Sequence, residues 1–150
     1  MPRVLGFAMR RTDPEEARDV VAETFTIAWR RIDRVPEVHE ALPWLLVTAR
    51  NVLANRRRKS ARVVAAGPVA VERDHTEDVV ASLTMVAAFN RLGERDRETL
   101  ALVAWDGLGP SDAARVAGCS SGTFSVRLHR ARRRLADILA DTETAREETR

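Results

Sequence analysis

The sequence predicts an all-α protein of two small helical domains joined by a linker, the C-terminal one a helix-turn-helix. Three observations predict this. Apolar residues recur three and four positions apart in several separate blocks, the period that gives a helix one apolar face. Gly and Pro are few, 7 and 6 in 150 residues, and no tyrosine occurs. Charge is segmented: residues 1–60 carry 12 basic against 8 acidic side chains and residues 85–140 carry 9 against 6, whereas 61–84 and 141–150 each carry 2 against 4. Two basic blocks therefore flank an acidic spacer. The domains expected are 1–60, a linker at 61–78, 79–140, and a polar, frayed tail at 141–150.

Composition narrows the function classes. The formal charge is only +3, but Lys59 is the single lysine among 25 basic residues. The rest are arginines, whose planar fork suits phosphate and guanine, although a GC-rich genome produces the same bias. Cys119 is alone, so no internal disulfide forms, and it is expected to fill a turn between helices, with a redox role as the alternative. No apolar run reaches the roughly 20 residues of a membrane span, and the N-terminus lacks a signal-peptide pattern. A soluble, cytoplasmic protein is expected. His39, His75 and His129 lie far apart, and neither a phosphate-binding Gly loop nor metal-ligand spacing occurs, so no enzyme, cofactor or metal is expected.

In chain order, residues 1–11 mix Val4, Leu5, Phe7 and Met9 with cations and read as the end of a helix. Asp13, Pro14 and Glu16 then give a helix start, with Asp13 as cap and Glu16 placed to reach back. That helix is expected to run to about Ile32. It buries Ala17, Val20, Val21, Thr24, Phe25, Ala28 and Ile32 and turns Glu15, Glu16, Asp19 and Glu23 outward as an acidic face, suited to a basic partner or simply solvated. Residues 33–42 read as a loop, with a short turn of helix within it as the alternative, and Pro43 can open the next helix.

On that helix Leu45, Leu46, Ala49, Val52 and Leu53 face one way, and Trp44, Thr48, Asn51, Asn55 and Arg58 the other. A ring, amides and a guanidinium on an exposed face offer stacking, base-edge hydrogen bonds and phosphate neutralisation. Packing of Trp44 on the preceding loop is the alternative, and the basic run Arg56–Lys59 also suits a helix C-terminus. After the spacer, helical pattern resumes with Val79, Leu83, Val86, Ala87, Phe89 and Leu92. A further helix from about Glu94 to Asp106 carries Leu100, Leu102, Val103 and Trp105, the last expected in the core.

Residues 109–139 are the most informative stretch. A short helix from Ser111 to Ala117 should end at Gly118, which tolerates the left-handed conformation. Ser120 or Ser121 should cap a second helix whose apolar stripe is Phe124, Leu128, Ala131, Leu135 and Ile138. Its opposite side carries Gly122, Val126, His129, Arg130 and Arg133, flanked by Arg127 and Arg134. Such a pair places its second helix in the DNA major groove. A hairpin that binds nothing, or a short coiled coil, would share the pattern.

Two segments together resemble the extracytoplasmic-function (ECF) sigma factors of bacterial RNA polymerase, of the sigma-70 family. EEARDVVAETFTIAWRRIDR followed by PWLLVTARNVLANRRR resembles the family's promoter-melting domain. RLGERDRETLALVAWDGLGPSDAARVAGCSSGTFSVRLHRARRRL resembles its minus-thirty-five domain. The resemblance implies an alternative sigma factor that joins core RNA polymerase and reads minus-ten and minus-thirty-five elements of promoter DNA. It implies that Asp19 and Glu23 touch the clamp of the beta-prime subunit. A flipped minus-ten base would be captured at residues 33–42, beside Trp44, Thr48, Asn51, Asn55 and Arg58. Ser121, Gly122, Ser125, Val126 and His129, with Thr123 in the same stretch, would meet minus-thirty-five bases, and Arg127, Arg130 and Arg133 phosphates. An anti-sigma factor is a further implied partner, and the chain would be monomeric outside the holoenzyme.

Two departures stand out. Ser125 replaces a residue that is often basic, and the chain opens partway through the family's first helix. Two other functions compete: a helix-turn-helix regulator that works without polymerase, which leaves the first segment unexplained, and a degenerate sigma relative acting only through protein binding.

Overall fold

A computed structural model describes residues 1–60 and 79–147, and all regular structure among them is helical. They form two compact units. The first holds α1 (Pro2–Met9), α2 (Pro14–Arg30) and α3 (Val38–Ser60); the second holds α4 (Val79–Arg91), α5 (Glu94–Ala104), α6 (Pro110–Ala117) and α7 (Ser121–Glu147). The expected linker at 61–78 lies outside the described residues.

In the first unit α1 buries Val4, Phe7 and Ala8 against α2 and α3. Arg11 closes it: its guanidinium lies 3.5 Å from the centre of the Phe7 ring and donates to the Phe7 carbonyl. Arg57 of α3 in turn donates to the Arg11 carbonyl at 2.7 Å. Asp13 caps α2 as expected, its Oδ1 accepting from the amides of Glu15 (3.0 Å) and Glu16 (2.9 Å). Glu16 does reach back, but it accepts the Thr12 hydroxyl.

Two expectations for this unit are corrected. The α-helix of α2 ends at Arg30 and a 3-10 turn, Ile32–Arg34, follows, so the helical period no longer holds at Ile32 and its side chain is exposed. Helix α3 starts at Val38, ahead of Pro43. Glu37 supplies the first carbonyl, accepting from the amides of Glu40 and Ala41, and the missing amide of Pro43 forfeits only one bond near the helix start. Leu46, Ala49, Val52 and Leu53 form the α3 side of the core, with Ala17, Val20, Thr24 and Ala28 from α2.

In the second unit α7 packs on α4, α5 and α6. A two-residue turn joins α4 to α5, and Arg97 Nη1 donates across it to the carbonyls of Asn90 (3.0 Å) and Leu92 (2.8 Å). On α4 the expected period slips by one position: Ala88 is buried and Ala87 exposed. Helix α5 stops at Ala104, two residues early, and Trp105 is 42% exposed rather than core, its ring edge-on to Phe89 at 4.8 Å. Asp106 and Leu108 beyond it are buried, and Gly107 turns the chain there with a φ of 62°.

Helix α6 ends as expected at Gly118 (φ 70°, ψ 39°), and the amide of Cys119 reaches back to the Ala114 carbonyl at 3.0 Å. That pattern satisfies carbonyls left open at the helix end. Helix α7 continues to Glu147, past the expected start of a frayed tail at 141.

Candidate nucleic-acid interface

The Cβ-less turn at Gly118 sets where α7 begins, and Ser120 settles the cap: its Oγ accepts the Thr123 amide at 3.1 Å and donates to the Thr123 hydroxyl at 2.8 Å. Phe124, Leu128 and Ala131 anchor the helix in the core, and Leu135 and Ile138 are half-buried along the same stripe. The opposite side is therefore turned to solvent by packing. Ser121, Gly122, Thr123, Ser125, Val126, His129, Arg130 and Arg133 are all exposed, and Arg127 is half-buried at the edge. Val126 is an apolar side chain 51% exposed on this polar face. Ser125 donates to the Ser121 carbonyl at 2.9 Å, which leaves the lone pairs of its hydroxyl as acceptors. Arg134 is withdrawn from the flank: it pairs with Asp96 of α5, whose side chain is only 11% exposed. The pair ties the long helix to α5 midway along its length.

On α3, Asn51, Asn55 and Arg58 are exposed on one side, with Arg58 donating to Asn55 Oδ1 at 2.5 Å. Trp44 and Thr48 share that side but are half-buried, and the Thr48 hydroxyl donates to the Trp44 carbonyl at 2.9 Å. Of the two readings of Trp44, stacking from an exposed face and packing on the chain before it, half-burial leaves the indole only partly available for stacking. Against this side α2 contributes Ile27 and Arg30 and its C-cap Arg31, and together they line a groove of about 280 Å³ that also includes Thr48, Asn51, Val52 and Asn55. Arg30 and Arg31 carry no expected role from the sequence. Their signal was the paired arginines closing a helix beside the 33–42 segment.

The acidic residues of α2 are not free. Arg56 of α3 places Nη1 3.4 Å from Asp19 Oδ2 and Nη2 3.1 Å from Glu23 Oε2. A second hollow, about 540 Å³, is lined by Glu16, Glu23, Asn55, Arg56, Arg58 and Lys59, so the acids and the α3 cations border one space. Among the described residues no group of three or more His, Cys, Asp or Glu side chains could hold a metal ion, and no helix is long and apolar enough to cross a membrane.

Comparison with known proteins matches the same two segments. Residues 1–63 match the Sigma-70 region 2 family and residues 82–135 the Sigma-70, region 4 family. The chain is 32% identical over 145 residues to the ECF RNA polymerase sigma factor EcfG of Rhodopseudomonas palustris, covering 93% of this chain and 80% of that protein. It is 36% identical over 149 residues to the ECF RNA polymerase sigma factor SigC of Mycobacterium tuberculosis, covering 93% and 77%. Among solved structures, the sigma factor RpoE in complex with the anti-sigma factor NepR from Bartonella quintana superposes with a TM-score of 0.73 at 28% identity, covering 93% of this chain and 91% of that one. A short helix capped by a left-handed glycine, a second helix turning arginines to solvent, and a separate three-helix unit with an amide-and-arginine groove thus occur in one chain with these two matches, and the chain belongs to the ECF sigma factors, the alternative sigma factors that bind core RNA polymerase and direct promoter-specific transcription initiation.

Proposed function

We propose that the division of labour within this sigma factor follows its two helical units, residues 1–60 engaging polymerase and the minus-ten element and residues 79–140 the minus-thirty-five element, with 61–78 as tether. The observation that carries this reading is the paired exposure on α7: cations Arg130 and Arg133 on the same face as Ser125, Val126 and His129. Phosphate contacts fix register, and base-edge contacts supply sequence. Val126 suits a thymine methyl, and the acceptor left on Ser125 suits an exocyclic amine of cytosine or adenine. Arg127 adds phosphate charge at the edge of this face, with Ser121, Gly122 and Thr123 leading into the groove.

In the first unit, the groove between α2 and α3 suits an unpaired nucleotide of the minus-ten strand. Ile27 and Val52 offer an apolar floor, Asn51 and Asn55 hydrogen bonds to a base edge, and Arg30, Arg31 and Arg58 charge for the backbone. A base must leave the stack before its edge is readable, and that step is driven by binding. Thr48 then acts mainly as part of the wall of the groove, with Trp44 one turn before it on α3. Asp19 and Glu23 meet a basic surface on the polymerase clamp. The protein performs no chemistry of its own, acts in the cytoplasm, and is held silent by an anti-sigma factor, as RpoE is bound by NepR. Run-off transcription with purified core polymerase tests the whole: the chain should yield defined start sites, and no transcript from any promoter would sink the reading.

A further inference from the structure

Four cations end α3, and Arg56 is half-buried where Arg57, Arg58 and Lys59 are exposed. Its guanidinium bridges two carboxylates on successive turns of α2. Nη2 and Nε lie 3.1 and 3.2 Å from Glu23 Oε2, and Nη1 lies 3.4 Å from Asp19 Oδ2. Two like charges four residues apart repel each other, and Arg56 relieves that repulsion. The acids remain reachable, with side chains 63% and 44% exposed. Arg56 also borders the hollow lined by Glu16, Glu23, Asn55, Arg58 and Lys59, in which the cations outnumber the acids.

We propose that Arg56 changes partners during holoenzyme assembly: on the free chain it neutralises Asp19 and Glu23, and once the polymerase's cations occupy those acids it turns to a phosphate of the unpaired minus-ten strand. The proposal rests on Asp19 and Glu23 being the polymerase contacts. Exposed ion pairs are weak, so an incoming basic surface displaces Arg56 readily. An arginine cannot shed its proton, and the displaced guanidinium then stands beside Arg58 and Lys59, where, with Glu23 engaged by the polymerase, three cations face the single carboxylate of Glu16 and a further anion relieves the excess of positive charge. A DNA backbone supplies one. Docking and strand capture thereby favour each other by the same factor.

The test compares the full chain with its Arg56→Gln and Arg56→Lys variants, free and reconstituted with core polymerase. The probe is a fluorescent non-template-strand fragment of a promoter that the unaltered holoenzyme transcribes, titrated over a range of salt. In the holoenzyme, Arg56→Gln should shrink the log–log salt slope by about 0.7, the loss of one single-strand phosphate contact, and Arg56→Lys should preserve the slope. The free chain should show the same slope, or the same absence of binding, with all three side chains. Affinity of Arg56→Gln for core polymerase should be unchanged or a few-fold tighter.

An equal slope change with and without polymerase would make Arg56 a permanent DNA contact and overturn the proposal. So would an unchanged slope in the holoenzyme, a reduced slope in Arg56→Lys, or weakened core binding by Arg56→Gln, which would make Arg56 an organiser of the acids. Separately, the double variant Asp19→Lys, Glu23→Lys should lose core binding. If it does not, the polymerase assignment fails and takes the exchange of partners with it.

Discussion

His129 is exposed on the same face of α7 as Arg130 and Arg133. In the proposed reading the arginines meet phosphates of any sequence, whereas an imidazole, the Ser125 hydroxyl and the Val126 methyls distinguish one base edge from another. Changing Arg130 or Arg133 to Ala should therefore weaken binding to all minus-thirty-five sequences about equally, with a salt slope shallower by about 0.9 per arginine removed. Changing His129 or Ser125 should instead shift which sequences are preferred, at roughly 1–3 kcal/mol per affected base pair. A systematic binding series over single-base promoter variants separates the two, and identical profiles for both sets would show the face to be misassigned. On the first unit, Asp13→Ala removes an acceptor for two amides and should cost about 0.5–2 kcal/mol, read by chemical denaturation. The Asp13 cap, the exposure of Asp19 and Glu23 and the α7 arginines were legible from spacing alone. The Arg56 bridge was not, because its partners lie 33 and 37 positions away in sequence.

Helix α7 shows how an element turns composition into a binding surface. Its roll is fixed by Phe124, which has no exposed surface, by Ala131 likewise, and by the Arg134–Asp96 pair. Phe124→Ala should cost about 3–5 kcal/mol, a large share of the stability of so small a unit, and abolish minus-thirty-five binding through unfolding. Circular dichroism melting should show that loss before any DNA is added. Gly118→Ala is a milder test of the turn. A left-handed φ of 70° costs a side chain about 1–2 kcal/mol, so the variant should melt earlier yet read the same promoters. The start of α3 was misread because a proline usually marks a helix opening. Here the Glu37 carbonyl begins the helix five residues sooner.

At the scale of the whole molecule, two units with separate cores each present a cationic face, and promoter recognition combines them. Binding through two tethered sites multiplies affinity only while the tether spans both, so long insertions between the units should depress transcription more than they depress binding to either element alone. A gel-shift series on single-element and two-element promoters, read beside run-off transcription, measures that difference.

By itself the sequence determined the helical class, the helix-turn-helix with its glycine and its arginine face, and the acidic face of α2. These are local properties: period, capping and turn chemistry act within a few residues and leave their pattern in the chain. Only the tertiary structure decided that Trp105 and Ile32 are exposed, that Arg134 is spent on Asp96, that Arg30 and Arg31 line a groove with Asn51 and Asn55, and that Arg56 holds both acids. Each of those depends on which helix faces meet, and that is set by packing between residues far apart in the chain, which no local period records.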